Sequence, residues 1–87
     1  MVLDTRDIIQ MTALGGTLMS VQAFENNANG QPVYIGYAEA GTAKTAPKWQ
    51  IRKITYDANN FITDIQFASG TANFDKIWNS RDTYTYS

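Results

Sequence analysis

Lys48 to Phe67, KWQIRKITYDANNFITDIQF, decides the fold of this chain. It divides into two strand patterns, Lys48–Tyr56 and Phe61–Ala68, joined by Asp57-Ala58-Asn59-Asn60. Asp and Asn favour such turns because they tolerate left-handed backbone angles and hydrogen-bond their own main chain. In the return strand Phe61, Thr63, Ile65 and Phe67 share one face, while Asp64 and Gln66 point away. One buried face and one wet face is the mark of an antiparallel sheet. In the outgoing strand Trp49 and Ile51 fall on one parity, Ile54 and Tyr56 on the other. That slip predicts a β-bulge at Arg52-Lys53.

Outward toward the N-terminus, Val33-Tyr34-Ile35-Gly36-Tyr37-Ala38 alternates as a strand, with Pro32 at its start, where a missing N–H does least harm. Asn29-Gly30 before it is a hairpin signal, because both residues accept positive φ. Met19, Val21 and Ala23 alternate in the preceding segment, which predicts another strand. Upstream of Gly15-Gly16, a bend or hinge, Ile8, Ile9, Met11 and Leu14 fit one stripe of a short helix started by Asp4 or Thr5. Two roles compete for this region: a peripheral tail and strand, or an arm that docks on a neighbouring subunit. The organisation expected is an N-terminal segment over 1–32 and a compact β domain over 33–87.

Toward the C-terminus, Ser69 to Asn73 breaks the strand, and Phe74, Ile77, Trp78 and Arg81 recur at helical spacing. They predict a turn or two of helix lidding the sheet, with Asn73 as its cap. Thr83-Tyr84-Thr85-Tyr86 then closes the chain as a short strand with both tyrosines on one face. Glu39 to Pro47 lacks periodicity and reads as a surface loop. The expected class is mostly β: a small antiparallel sandwich or partly open barrel with one short helix near the C-terminus. Its core is expected from Trp49, Ile51, Ile54, Tyr56, Phe61, Ile65, Phe67, Phe74, Ile77 and Trp78.

Composition narrows the chemistry. Eighty-seven residues make one small domain, and chains of this size bury only about 60% of their unfolded surface. Disulfides, a structural metal or oligomerisation are the usual aids. Cysteine and histidine are both absent, so disulfides and zinc drop out and association becomes the favoured aid. The net charge of −1 gives no reason to expect a polyanionic partner. No apolar run is long enough to span a bilayer, and MVLDTRD lacks a signal-peptide core, which predicts intracellular synthesis.

Without His or Cys, catalysis would need two carboxylates converging in a cleft. Asp57 and Asp64 instead flank a hairpin turn, so neither enzymatic activity nor a cofactor is expected. Gly36 to Thr42 has the two-glycine spacing of a phosphate loop, but Ala43 follows Thr42 and Lys44 is displaced from the lysine position. Asp57-Ala58-Asn59 opens like a calcium loop, yet Ile62 and Ala68 stand where Gly and Glu are required. Lys44, Lys48, Arg52 and Lys53 beside Trp49 and Tyr56 suggest a stacking face for single-stranded nucleic acid, but the rest of the sequence is not basic, and a solvated strand face with an aromatic core behind it is the expectation.

One cadence runs from Tyr34 to Ser87. It comprises Tyr34-Ile35-Gly36, the tryptophan-led strand from Trp49, Ala68-Ser69-Gly70, Trp78-Asn79-Ser80-Arg81 and the terminal Thr83-Tyr84-Thr85-Tyr86-Ser87. It resembles a family of small virion-associated structural proteins of tailed bacteriophages. The resemblance implies a non-enzymatic component of the phage particle, made in the host cytoplasm and held by contacts with its own copies or other virion proteins. Capsid decoration and a tail or neck position both fit. A different class, a non-structural β module recognising a peptide or host protein, stands as the alternative. Neither small-molecule substrate nor membrane is expected as a partner.

Overall fold

A computed structural model describes residues 12–14 and 17–87. Six strands are present among the described residues: β1 Thr12–Leu14, β2 Thr17–Asn26, β3 Pro32–Ala38, β4 Pro47–Tyr56, β5 Ile62–Phe67 and β6 Lys76–Ile77. A 3-10 helix, Trp78–Thr83, follows β6. The first five strands form an antiparallel meander in sequence order, and β6 pairs with the start of β4. The protein is therefore mostly antiparallel β with one short helix near the C-terminus, and the sheet is open rather than closed into a barrel. Its second layer is the 3-10 helix with the tail behind it. Leu14 lies in β1 and pairs with Thr17, which excludes a helix continuing through it. Ile8, Ile9 and Met11 lie outside the described residues.

Two hairpin turns sit side by side and use one design. Asn27 and Asp57 each accept two backbone N–H bonds on Oδ1: from Asn29 and Gln31 in the first turn, from Asn59 and Phe61 in the second. The left-handed residue is fourth in both, Gly30 at φ 78° and Asn60 at φ 68°. Asn29 does not share it, so the first loop is longer than the two-residue turn that Asn29-Gly30 suggests. Gln31 Nε2 donates to Asn60 O at 3.2 Å, joining the two turns.

Alternation along the register separates two faces. Trp49, Ile51 and Lys53 share one side of β4 with Gly36 and Tyr34 of β3. Trp78, at the start of the 3-10 helix, lies over the same side. Its ring centroid is 5.8 Å from that of Trp49, and both rings press on Gly36. A Cβ added there would meet Trp78 Cε3 at 2.6 Å and Trp49 Cε3 at 2.9 Å, so this position admits no side chain. Ala23, Ala38 and Ala68 complete the buried cluster, with Tyr34, Tyr84 and Tyr86 packed against it. Trp49 Nε1 donates to Ala43 O at 3.0 Å, fixing the loop before β4.

The C-terminal segment holds this lid in place. Arg81 lies over the Trp78 ring, its Cζ 4.6 Å from the centroid, and its Nε donates to Glu25 Oε1 at 2.7 Å. Tyr84 Oη accepts the Ile77 N–H at 2.9 Å, and Tyr86 Oη donates to Arg81 O at 2.6 Å. Ser69 and Phe67 donate to Thr85 O and Ser87 O, and Ala68 bridges Tyr86. Only a bridge, rather than a longer strand, forms from the terminal tyrosine segment.

Several expectations are corrected. The helix begins at Trp78 rather than near Phe74, because Lys76 and Ile77 are drawn into pairing with Trp49 and Pro47. Asn73 does not cap it; Ile77 precedes it in extended conformation without a side-chain cap. No bulge occurs at Arg52-Lys53, where both neighbouring registers run unbroken. The change of parity arises because β4 carries apolar residues on both faces. The irregularity lies opposite, where Thr55 pairs with Asp64 but Tyr56 with Ile62, leaving Thr63 extra. Trp49, Ile51, Ile54 and Trp78 are buried as expected, whereas Phe61 is 69% and Ile65 56% exposed. Phe61 ends a turn, and Ile65 lies on the face that the lid does not cover. Tyr56, Phe67, Phe74 and Ile77 are half-buried.

Gly36→Ala should destabilise the protein by about 1–3 kcal/mol, because two packed rings must move. Trp49→Ala should cost about 3–5 kcal/mol by opening a cavity at the same place. Urea unfolding of both variants checks these values. Burial, reinforced by Tyr34 and Tyr84, raises the Tyr86 hydroxyl well above its ordinary range. Ionisation therefore favours the unfolded chain, so this contribution is complete below about pH 10 and fades as pH rises beyond it. Thermal melts should fall above that pH, and less steeply in Tyr86→Phe.

Candidate interaction surface

The second face of the sheet is built from the opposite parity. Phe24 of β2 pairs with Ile35 of β3, Ile35 with Arg52 of β4, and Arg52 with Phe67 of β5. These four make one row across the sheet. Ile54 and Ile65 form the next pair along, and the extra Thr63 returns Ile62, opposite Tyr56, to their side. Phe24 is 59% exposed, and Ile62 and Ile65 are each 56% exposed. Large side chains scattered singly over a surface need no explanation, but contiguous rows of them mark interaction sites.

Arg52 stands in the middle of this face. Its guanidinium carbon lies 4.2 Å from the Tyr37 ring centroid and 5.1 Å from that of Phe67. Arg52 Nε donates to Gln50 Oε1 at 2.9 Å, and Gln50 Nε2 donates in turn to Ala72 O at 2.8 Å. Gln50 and Tyr37 are buried, so the arginine is held by a rigid shelf. Among the described residues no carboxylate pairs with it. Its terminal nitrogens remain as oriented donors within an apolar surround, where a charge-assisted bond is stronger than in water.

The edge at β5 is partly open. Gln66 and Asp64 belong to the rungs that bond toward β4, so the peptide groups of Ile65 and Phe67 point outward. Phe67 exchanges two bonds with Ser87, at 3.0 and 3.2 Å, which closes the edge there. Nothing among the described residues pairs with the outward groups of Ile65. The strand ITDIQF has neither Lys nor Pro to discourage pairing.

Other sequence-derived sites disperse. Arg52 and Lys53 lie on opposite faces and Trp49 is 1% exposed, so of the two expected stacking rings only the half-buried Tyr56 shares a face with Arg52. Asp57 Oδ1 is occupied by its own turn. No group of three or more His, Cys, Asp or Glu among the described residues is placed to hold a metal ion. Glu39 to Ala43, Ala46 and Lys48 line a depression of about 410 Å³, whose charged lining residues are Glu39 and Lys48. Thr42 Oγ1 there donates to Glu39 O at 2.7 Å. No described helix is long and apolar enough to cross a membrane.

The chain matches no protein-family model, no curated protein and no solved structure.

Proposed function

We propose that this protein is a non-enzymatic assembly module that works through its open sheet face, docking on copies of itself or on other components of a larger particle. The observation that carries this role is the uncovered apolar row. The chain has seated its two tryptophans on one face, yet it leaves Phe24, Ile62 and Ile65 more than half exposed on the other. A small domain without disulfides gains stability by covering such a face. The particle we propose is a tailed-phage virion, on the support of the cadence from Tyr34 to Ser87. Decoration of the capsid and a place in the tail or neck are both compatible with a laterally docked module. A peptide-recognising module is the second reading, supported by the outward groups of Ile65, unpaired among the described residues, to which an extended segment could add as a strand.

Sedimentation of Ile65→Asp and Phe24→Ser variants tests the assembly role. Each should remain folded, with unfolding free energy within about 1 kcal/mol of wild type, because exposed sites contribute little to the isolated fold. Each should lose self-association or incorporation into particles. Retention of full assembly by both variants would refute the role of this face.

A further inference from the structure

We propose that Asn29 is a self-modification site: in the folded protein the backbone nitrogen of Gly30 displaces its side-chain amide, leaving aspartate or isoaspartate in the first hairpin turn. Of the asparagines in the chain, Asn29 alone precedes glycine. Ring closure joins the Gly30 nitrogen to Asn29 Cγ, and the Cγ–Nδ2 bond breaks. Ammonia leaves with the proton that the Gly30 nitrogen gives up. Water then opens the succinimide. Cleavage at Cγ yields aspartate, whereas cleavage at the main-chain carbonyl carbon yields isoaspartate, whose backbone runs through Cβ and Cγ. No oxidant or reductant is consumed. A side chain on the following residue crowds the attacking nitrogen, and glycine has none. Nitrogen and amide are neighbours on one chain, so the attack is intramolecular.

The turn leaves both reacting groups open to each other and to water. Ala28, Asn29 and Gly30 are exposed, and a Cβ at Gly30 would meet nothing within 4 Å. The Asn29 amide has no hydrogen-bond partner among the described residues. Asn27 is engaged instead: its Oδ1 accepts the N–H groups of Asn29 and Gln31, and its Nδ2 donates to Gln31 Oε1 at 3.1 Å. The bond that opens for the attack is Gly30 N–H to Asn27 O, at 3.0 Å, in an exposed turn where local opening costs little.

The second turn is a control built into the same molecule. Phe24 pairs with Ile35 as Ile54 pairs with Ile65, and the same irregularity follows, with Val33 extra in one hairpin and Thr63 in the other. Asn59 takes the place of Asn29, and each donates its N–H to the turn's first side chain at 2.9 Å. Asn60, at φ 68°, donates to Asp57 O at 3.0 Å, as Gly30, at φ 78°, donates to Asn27 O. At the reacting nitrogen the two turns differ by a side chain. Isoaspartate also has a consequence for the fold. Its added methylene group enters the main chain between the two N–H groups that Asn27 Oδ1 holds, which undoes that clamp. The Gln31 bond to Asn60 O, which joins the turns, goes with it.

The experiment incubates the full native chain in mildly alkaline buffer and locates amide-to-acid conversion by proteolysis and fragment mass spectrometry. Asn29 should convert at least about 10-fold faster than Asn59, because the nitrogen that follows it is unhindered. Gly30→Asn, which copies the second turn, should slow conversion at position 29 to the rate at Asn59. Asn60→Gly should speed conversion at Asn59 by about 10-fold. Tryptophan fluorescence shows that each variant is folded, and either reciprocal variant alone suffices. The isoaspartyl form, separated by chromatography, should melt below the unconverted protein. Asn29→Asp adds the charge without lengthening the backbone and should melt close to wild type. Equal rates at Asn29 and Asn59, or conversion of Asn29 only in the urea-unfolded chain, would overturn the site. Undiminished conversion in folded Gly30→Asn would do the same. An isoaspartyl form that melts with the unconverted protein would overturn its effect on the turn.

Discussion

Two indole rings pressed on a backbone without a side chain set the terms for the rest of this molecule. Gly36 leaves room for Trp49 and Trp78 to meet over the middle of the sheet, and that contact recruits each later element in turn. Trp78 begins the 3-10 helix, Arg81 covers its outer surface and reaches Glu25, and Tyr86 bonds the carbonyl of Arg81. The tail then closes the edge of β5 at Phe67. Both tryptophans are buried on this side of the sheet, while Tyr37 and Ile54 are buried on the other and Phe24, Ile62 and Ile65 are left exposed.

Under the proposed assembly role, substitutions beneath the lid should act on the fold and substitutions of the exposed Phe24, Ile62 and Ile65 on docking. The far face is not merely left over. Arg52 is fixed by two rings and by Gln50, which is itself buried and bonded to Ala72. Fixing a charged side chain in advance lowers the entropic cost of using it in a contact.

Much of the fold was legible because strands announce themselves by alternation and turns by Asp, Asn and Gly. The hairpin of Trp49 to Phe67 and the strand at Val33 are where the pattern puts them. Three features were hidden. Ala23, Ala38 and Ala68 fall in the expected strands but not in the expected core, because a methyl group gives no local sign of its burial. The spacing of Phe74, Ile77, Trp78 and Arg81 suits a helix, but pairing with β4 took Lys76 and Ile77 instead, a tertiary effect that local pattern cannot carry. The open apolar face was hidden for a third reason. Phe61, Ile65 and Phe67 read as core because apolar residues on alternating positions imply burial, whereas here Ile65 lies on an uncovered face. The one available signal was Ile54, out of phase with Trp49 and Ile51, which marks apolar residues on both sides of β4.

Hydroxyl-radical footprinting of the protein at dilute and at assembled concentrations tests the division between a sealed face and a docking face most directly. Trp49 and Trp78 should resist oxidation under both conditions. Phe24 and Ile65 should react when dilute and become protected on assembly, while Phe61 in its turn reacts throughout. Unchanged reactivity of Phe24 and Ile65 in the assembled state, or ready oxidation of the two tryptophans in the monomer, would contradict the account.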